Sequence, residues 1–221
     1  ATMAFINTAS KNRIFYWQNT QFIFLSVVFI ATWFYFFYSA LDIKDWWMEN
    51  ILVMIFCAAL AVSQKRFLFT NTSLVFIFLF LLLHLYGARM AYTQNELGLF
   101  LKNTFHLSRN PYDRIVHFSF GFLMVYPLCD YLIYHYQLSK KHLFLITNMI
   151  IFSLATIFEL IEWGVAAFTD SATGETYVAT QGDPWDAQKD IILAVIGSVV
   201  FLNFYTIYKW LKKQSFIRYF K

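Results

Sequence analysis

Residues 67–92 read FLFTNTSLVFIFLFLLLHLYGARMAY, with every position of 74–83 apolar and no Asp, Glu, Lys or Arg between Arg66 and Arg89. About 20 predominantly apolar residues suffice for a helix to cross a hydrocarbon core, so this stretch predicts a membrane span. Five more stretches have the same character: residues 22–41, 46–62 (with a turn's latitude at its start), 113–136, 142–168 and 186–210. A β-barrel would show short alternating segments instead. The expected fold is all-α, a polytopic membrane protein built as a bundle of six transmembrane helices. Residues 1–21 then form an N-terminal segment with an interfacial helix around Phe5, Ile6, Ile14, Phe15 and Trp17, residues 22–210 the six-span domain, and residues 211–221 a basic tail.

Composition supports this reading. Of 221 residues, 59% are hydrophobic, 22% aromatic and only 14% charged, against about a quarter charged in soluble domains. Mean hydropathy is +0.52. Cys57 and Cys129 both sit in apolar runs, which excludes a disulfide-stapled secreted domain. Seven Gly and three Pro exclude collagen-like and low-complexity chains. Lys11 and Arg13 precede the first span, but no small-residue cleavage site follows, so that span reads as an anchor.

Basic residues set the expected orientation. Lys11, Arg13, Lys65, Arg66, Lys140, Lys141, Lys209, Lys212, Lys213, Arg218 and Lys221 all fall on one side of a six-span chain and make up most of its 17 bases. The positive-inside rule places that side, and both termini, in the cytoplasm. Their dispersal among loop ends argues against a nucleic-acid partner. The acids skew the other way. Of 13, only Asp130 lies toward the inside; Asp42, Asp45, Glu49, Glu96, Asp113, Glu159, Glu162, Asp170, Glu175, Asp183, Asp186 and Asp190 lie outside or in the outer halves of spans. The positive-inside rule counts bases, so the acids need a second cause.

Depth and spacing suggest one. At about 1.5 Å per residue, His84 lies about 12 Å and His117 about 6 Å from the outer ends of their spans. Glu159 and Glu162, and Asp186 and Asp190, fall in the same outer leaflet. Asp113 and His117 are i, i+4, as are Asp186 and Asp190; Glu159 and Glu162 are i, i+3. Each pair shares a helix face, and the bundle interior is the affordable direction for such faces. The openings of two spans echo each other: Asn110-Pro111-Tyr112-Asp113-x3-His117 and Asp183-Pro184-Trp185-Asp186-x3-Asp190. Asx at the N-cap, Pro at N1 and Asp in the first turn explain the first four residues of each. They leave His117 and Asp190, one turn deeper, without a capping role.

Imidazole with carboxylates is a ligand set for zinc, or for manganese or iron. On this reading His84, Asp113, His117, Asp183, Asp186 and Asp190 are the candidate metal ligands. Glu159 or Glu162 is the general base, and Arg114 the clamp for an anionic group. Arg89 and Arg114 have an alternative use, neutralising the acids. The leading expectation is a metal-dependent membrane hydrolase acting on a lipid or lipid-linked substrate at the outer leaflet, with membrane lipids as its partners. Two alternatives stay open: a transporter or proton-coupled carrier whose acids relay protons, and an accessory protein whose charges only fix helix packing. His84 taken alone also reads as a hydrogen-bonded core residue. No GxSxG, CxxC or phosphate-binding glycine loop is present.

Between the spans, residues 93–112 carry Leu97, Leu99, Phe100, Leu101 and Phe105 and suggest an amphipathic segment on the membrane. Residues 169–182 are polar and free of bases, as a lid over the site would be. Trp46, Trp47 and Trp210 read as interfacial anchors.

Three runs carry a family likeness. Arg109-Asn110-Pro111-Tyr112-Asp113-Arg114-Ile115-Val116-His117-Phe118, Phe158-Glu159-Leu160-Ile161-Glu162-Trp163 and Thr180-Gln181-Gly182-Asp183-Pro184-Trp185-Asp186 resemble the YjdF-like bacterial inner-membrane proteins, a family defined by a domain of unknown function. The resemblance covers spans 2 to 6 and implies a bacterial inner-membrane location, but no activity. A more distant similarity links Asp113, Arg114, His117, Phe118, Glu159, Asp190 and Gly197 to VanZ-like proteins, which are known for a link to glycopeptide-antibiotic resistance. Ala194 stands where those proteins carry Asn, so no chemistry is carried over.

Overall fold

The computed structural model describes residues 15–136, 138–169 and 178–219, and over residues 209–219 the backbone only. A single 3-10 turn, Tyr16–Gln18, precedes seven helices: α1 (Thr20–Tyr38), α2 (Ile43–Ser63), α3 (Asn71–Ala88), α4 (Glu96–Thr104), α5 (Tyr112–His135), α6 (Lys140–Phe168) and α7 (Asp186–Tyr219). All but α4 are long and apolar enough to cross a membrane, and the described residues include no strand. The chain is the expected all-α bundle of six spans.

Side-chain caps fix where the helices begin. Asn19, Thr70 and Ser139 accept from the backbone N–H three residues on, opening α1, α3 and α6. Asp42 accepts from the N–H groups of Lys44 and Asp45, so α2 starts about a turn before residue 46 and takes Asp45 and Glu49 into its first turns. Asn110 and Asp183, expected at N-cap positions, sit slightly further out. Each accepts from the N–H two residues on, Tyr112 at 2.9 Å and Trp185 at 3.1 Å, with Pro111 at the cap of α5. The two echoed motifs therefore form the same Asx turn ahead of their helices.

α3 ends at Ala88, short of residue 92. The Tyr92 N–H returns to the Gly87 carbonyl, and Ala91 and Tyr92 take left-handed backbone angles (φ 46° and 49°). This folds the Tyr92 ring back onto Gly87, where a Cβ would lie 2.5 Å from the ring. Asn95 then caps α4 and donates to the Tyr86 carbonyl. Leu97, Phe100 and Phe105 of this amphipathic connection are exposed.

α5 and α7 pack closest of all. A Cβ on Gly121 would lie 1.7 Å from the Ala194 carbonyl oxygen, and one on Gly197 2.1 Å from that of Phe118. Such small-residue contact lets membrane helices approach backbone to backbone. Phe122 and Tyr126 meet Phe201 and Tyr205 further along, so the helices run side by side in one direction and their first turns lie together. Ser198 donates to Asn148 and ties α7 to α6. Asp130 accepts from Thr70 N–H and Ser73 Oγ, fastening α5 to the start of α3. Phe24, Phe34, Leu145, Phe152 and Phe204 are exposed on the outer faces of the spans, the faces that would meet lipid.

Trp46 departs from the anchor reading. It is completely buried, in a core with Leu85, Ala88, Tyr92, Tyr112 and Val116, because the earlier start of α2 turns it inward. Trp47 keeps a partly exposed face. Residues 1–14 of the expected N-terminal interfacial helix and residues 170–177 of the expected lid 169–182, with Asp170 and Glu175, lie outside the described residues, as do the side chains of Trp210 and the basic tail.

Candidate functional site

The ionisable residues of five spans converge at the end of the bundle where α5 and α7 begin. Asp113 and His117 come from α5, Asp186 and Asp190 from α7, Glu159 and Glu162 from α6, His84 from α3, and Asp45 and Glu49 from α2. All are buried. The face shared by Asp113 and His117 is visible in contacts: His117 Nε2 lies 3.6 Å from Asp113 Oδ1, one turn away, and 3.3 Å from Glu159 Oε1 across the helix interface.

At the centre, Asp113, His117 and Asp190 each offer a ligand atom, all within 4.8 Å of one another. Two atoms bound to one zinc at about 2.1 Å stand at most about 4.2 Å apart, so small rotations would close this set around an ion. The Asp190 Oδ1 and Glu159 Oε1 atoms are buried with no hydrogen-bond partner among the described residues. A buried carboxylate oxygen left this way is costly, and a cation held beside it would offset that cost.

The remaining expected ligands serve other partners. Asp186 is bound by Arg109 and lies 3.2 Å from Arg114. Asp183 is held by Arg114 at 2.6 Å and Lys189 at 2.5 Å. The Lys189 hydrogen bond first, then those from the Trp185 N–H and Arg114, hold the Asp183 carboxyl down at about 2. Arg114 is thus engaged by acids of the protein itself, the second of the two uses open to it. His84 faces away from the ion set in its bonding: Nδ1 pairs with the Tyr92 hydroxyl at 2.7 Å and Nε2 with the Glu49 carbonyl at 3.3 Å.

Two pockets meet here. A cavity of about 310 Å³ runs between α2, α3, α5 and α6, with His84, Tyr92, Asp113, His117 and Glu162 at one end and apolar side chains over the rest of its length. A second pocket of about 350 Å³ is lined by carboxylates, Asp113, Glu159, Glu162, Asp183, Asp186 and Asp190, beside the segment 178–184. Asp113 and Glu162 belong to both. The site therefore joins an apolar chamber inside the bundle to an acidic mouth at the helix ends.

The sequence pattern of the DUF2238 family, described as predicted membrane proteins, matches residues 21–210. The chain belongs to this family. It is also 28% identical over 187 residues to the inner membrane protein YjdF of Escherichia coli (strain K12), an alignment covering 84% of this chain and 87% of that protein. No solved structure matches. The YjdF-like resemblance of the three sequence runs is thus established, and all three lie within the matched residues. Neither match bears on the likeness to VanZ-like proteins.

In this DUF2238 protein four contributors, Asp45, Glu49, Tyr92 and Arg109, had no role assigned from the sequence. Asp45 and Glu49 form a third i, i+4 pair, and each has one buried oxygen without a hydrogen-bond partner among the described residues. Their spacing was a usable signal once the α2 start was placed at Ile43. Arg109 is buried and donates to Asp186 and to the carbonyls of Ala179 and Thr180, closing the segment before α7 over the site. Tyr92 enters the site only through the left-handed turn after α3, which no local pattern of these residue types announces.

Proposed function

We propose that this membrane protein is a metal-dependent hydrolase of a lipid or lipid-linked substrate, working at the outer leaflet of a bacterial inner membrane with both termini cytoplasmic. The observation that carries the reading is the Asp113–His117–Asp190 set lying where an apolar chamber meets an acidic mouth. An amphipathic substrate needs both environments, and a water-soluble one has no use for the chamber. The inner-membrane location follows the relative's name and the distribution of bases.

Asp113, His117 and Asp190 would hold zinc, or manganese or iron. Such an ion would supply an acidified water when bound. Glu162, common to both pockets, would serve as the base, accepting a proton at its carboxylate. Glu159, 3.3 Å from the same His117 Nε2 that faces Asp113, would be a further carboxylate beside that centre. Arg109 and Arg114 hold Asp186 and Asp183 and keep the segment before α7 in place.

The test uses purified protein in liposomes loaded with zinc or manganese, with lipid products followed by mass spectrometry. A metal-dependent product that is absent in Glu162→Gln supports the proposal. No product from phospholipids or from isoprenoid phosphates, together with proton-coupled solute uptake that is lost in Glu159→Gln, would replace it with the carrier reading.

A further inference from the structure

The cavity between α2 and α6 has the dimensions of one leaflet. Along α5 its lining runs from Asp113 to Met124, a rise of about 16 Å at about 1.5 Å per residue. Half of a hydrocarbon core about 30 Å thick is nearly the same length. The polar end is at the helix starts, where an interface would lie, and the other end is at mid-span. Val53 and Phe56 of α2, Leu81 of α3, and Phe120 and Met124 of α5 line the apolar part. α2 packs on α3, while α6 packs on α5 and α7, so the chamber's open side lies between α2 and α6. Leu154 and Ile157, at that edge, line the cavity yet are about half exposed on the outer face of α6.

We infer that this cavity is a lateral binding site for a single hydrocarbon tail of a membrane lipid, entered from the bilayer between α2 and α6, with the head group delivered to Asp113 and Glu162. A membrane is what faces Leu154 and Ile157, and a tail is the component of a membrane that is apolar, about one leaflet long and narrow enough for the space. A depression on an outer face would solvate tails without selecting one. Here the wall includes Val53, Leu81 and Val116, each less than a tenth exposed, which bulk lipid outside the bundle does not reach. The assignment deepens the lipid-substrate proposal and rests on it for the head-group chemistry; the tail site itself stands on the cavity.

The probe is a phosphatidylethanolamine carrying a diazirine at the middle of one acyl chain. It is mixed into vesicles holding the full chain, photolysed, and the adducts are mapped by peptide mass spectrometry. The expected wild-type result is labelling at Leu81, Val116 and Met124 in addition to outward-facing Leu145 and Phe152. Ala155→Phe fills the chamber and Ile157→Trp narrows its edge. Occupying the space of the tail should make the inner adducts fall by about tenfold or more while those at Leu145 and Phe152 persist. Should Ala155→Phe fail to fold, Ile157→Trp, at an exposed position, decides. Adducts confined to the outward-facing residues, or inner adducts unchanged in a folded variant, overturn the tail site. Metal content of the same samples separates the two proposals: inner adducts on a chain that binds no metal leave the tail site standing without the hydrolase, and a metal-bound chain labelled only outside does the reverse.

Discussion

Gly121→Ala should disturb the site although the residue touches none of the candidate ligands. The added Cβ would start 1.7 Å from the Ala194 carbonyl oxygen, where ordinary contact begins at 3.4 Å. The obstacle is backbone, so α5 and α7 must part by roughly the difference. Ala194 lies one turn below Asp190. Displacing Asp190 by that amount from Asp113 and His117 takes a set already 4.8 Å wide beyond the reach of one ion. Overpacking costs about 1–3 kcal/mol, or a fall of roughly 2–4 °C in Tm for each kcal/mol in a chain of this length. Metal affinity should drop about 10–100-fold, the range associated with losing ligand orientation. Gly164→Ala is the control, because nothing lies within 4 Å of a Cβ there. Thermal unfolding in detergent and metal competition with a chelator read both effects. Wild-type Tm and affinity in Gly121→Ala would refute the claim that the α5–α7 crossing holds the site together.

Other outcomes follow from individual contacts. Asp130→Ala removes the acceptor for Thr70 N–H and Ser73 Oγ; it should cost about 2–5 kcal/mol in unfolding free energy while leaving metal content unchanged. Gly87→Ala drives the Tyr92 ring from its seat and should lower Tm by several degrees, with Tyr92→Phe milder, about 1 kcal/mol for the lost hydrogen bond to His84. Asp183 has a folded pKa of about 2, below its ordinary value, so its contribution is complete above about pH 4 and fades as pH falls toward 2. Tm against pH should therefore separate wild type from Asp183→Asn above pH 4 and converge toward pH 2; a gap that stays constant would remove the link to Lys189 and Arg114.

The spans were legible because a bilayer demands about 20 apolar residues whatever the neighbours. Asp113 with His117 was legible for a similar reason, since i, i+4 spacing fixes a shared face before any packing is known. Which of Asp183, Asp186 and Asp190 lies beside Asp113 and His117 was not legible. It depends on the rotation of α7 against α5, set by Gly121, Ala194 and Gly197, and on Arg109 reaching across from the loop before α5 to take Asp186. Trp46 was misplaced because an aromatic near a span's end suits the interface and the core equally well; the Asp42 cap, which starts α2 early, decided for the core.

Metal stoichiometry tests the Asp113–His117–Asp190 centre most directly. Elemental mass spectrometry of detergent-purified protein, reloaded with zinc, manganese or iron and washed, should find about one equivalent in wild type and in His84→Ala, and a loss in His117→Ala and Asp190→Asn. Metal absent from reloaded wild type, or retained in His117→Ala, would contradict the Asp113–His117–Asp190 centre.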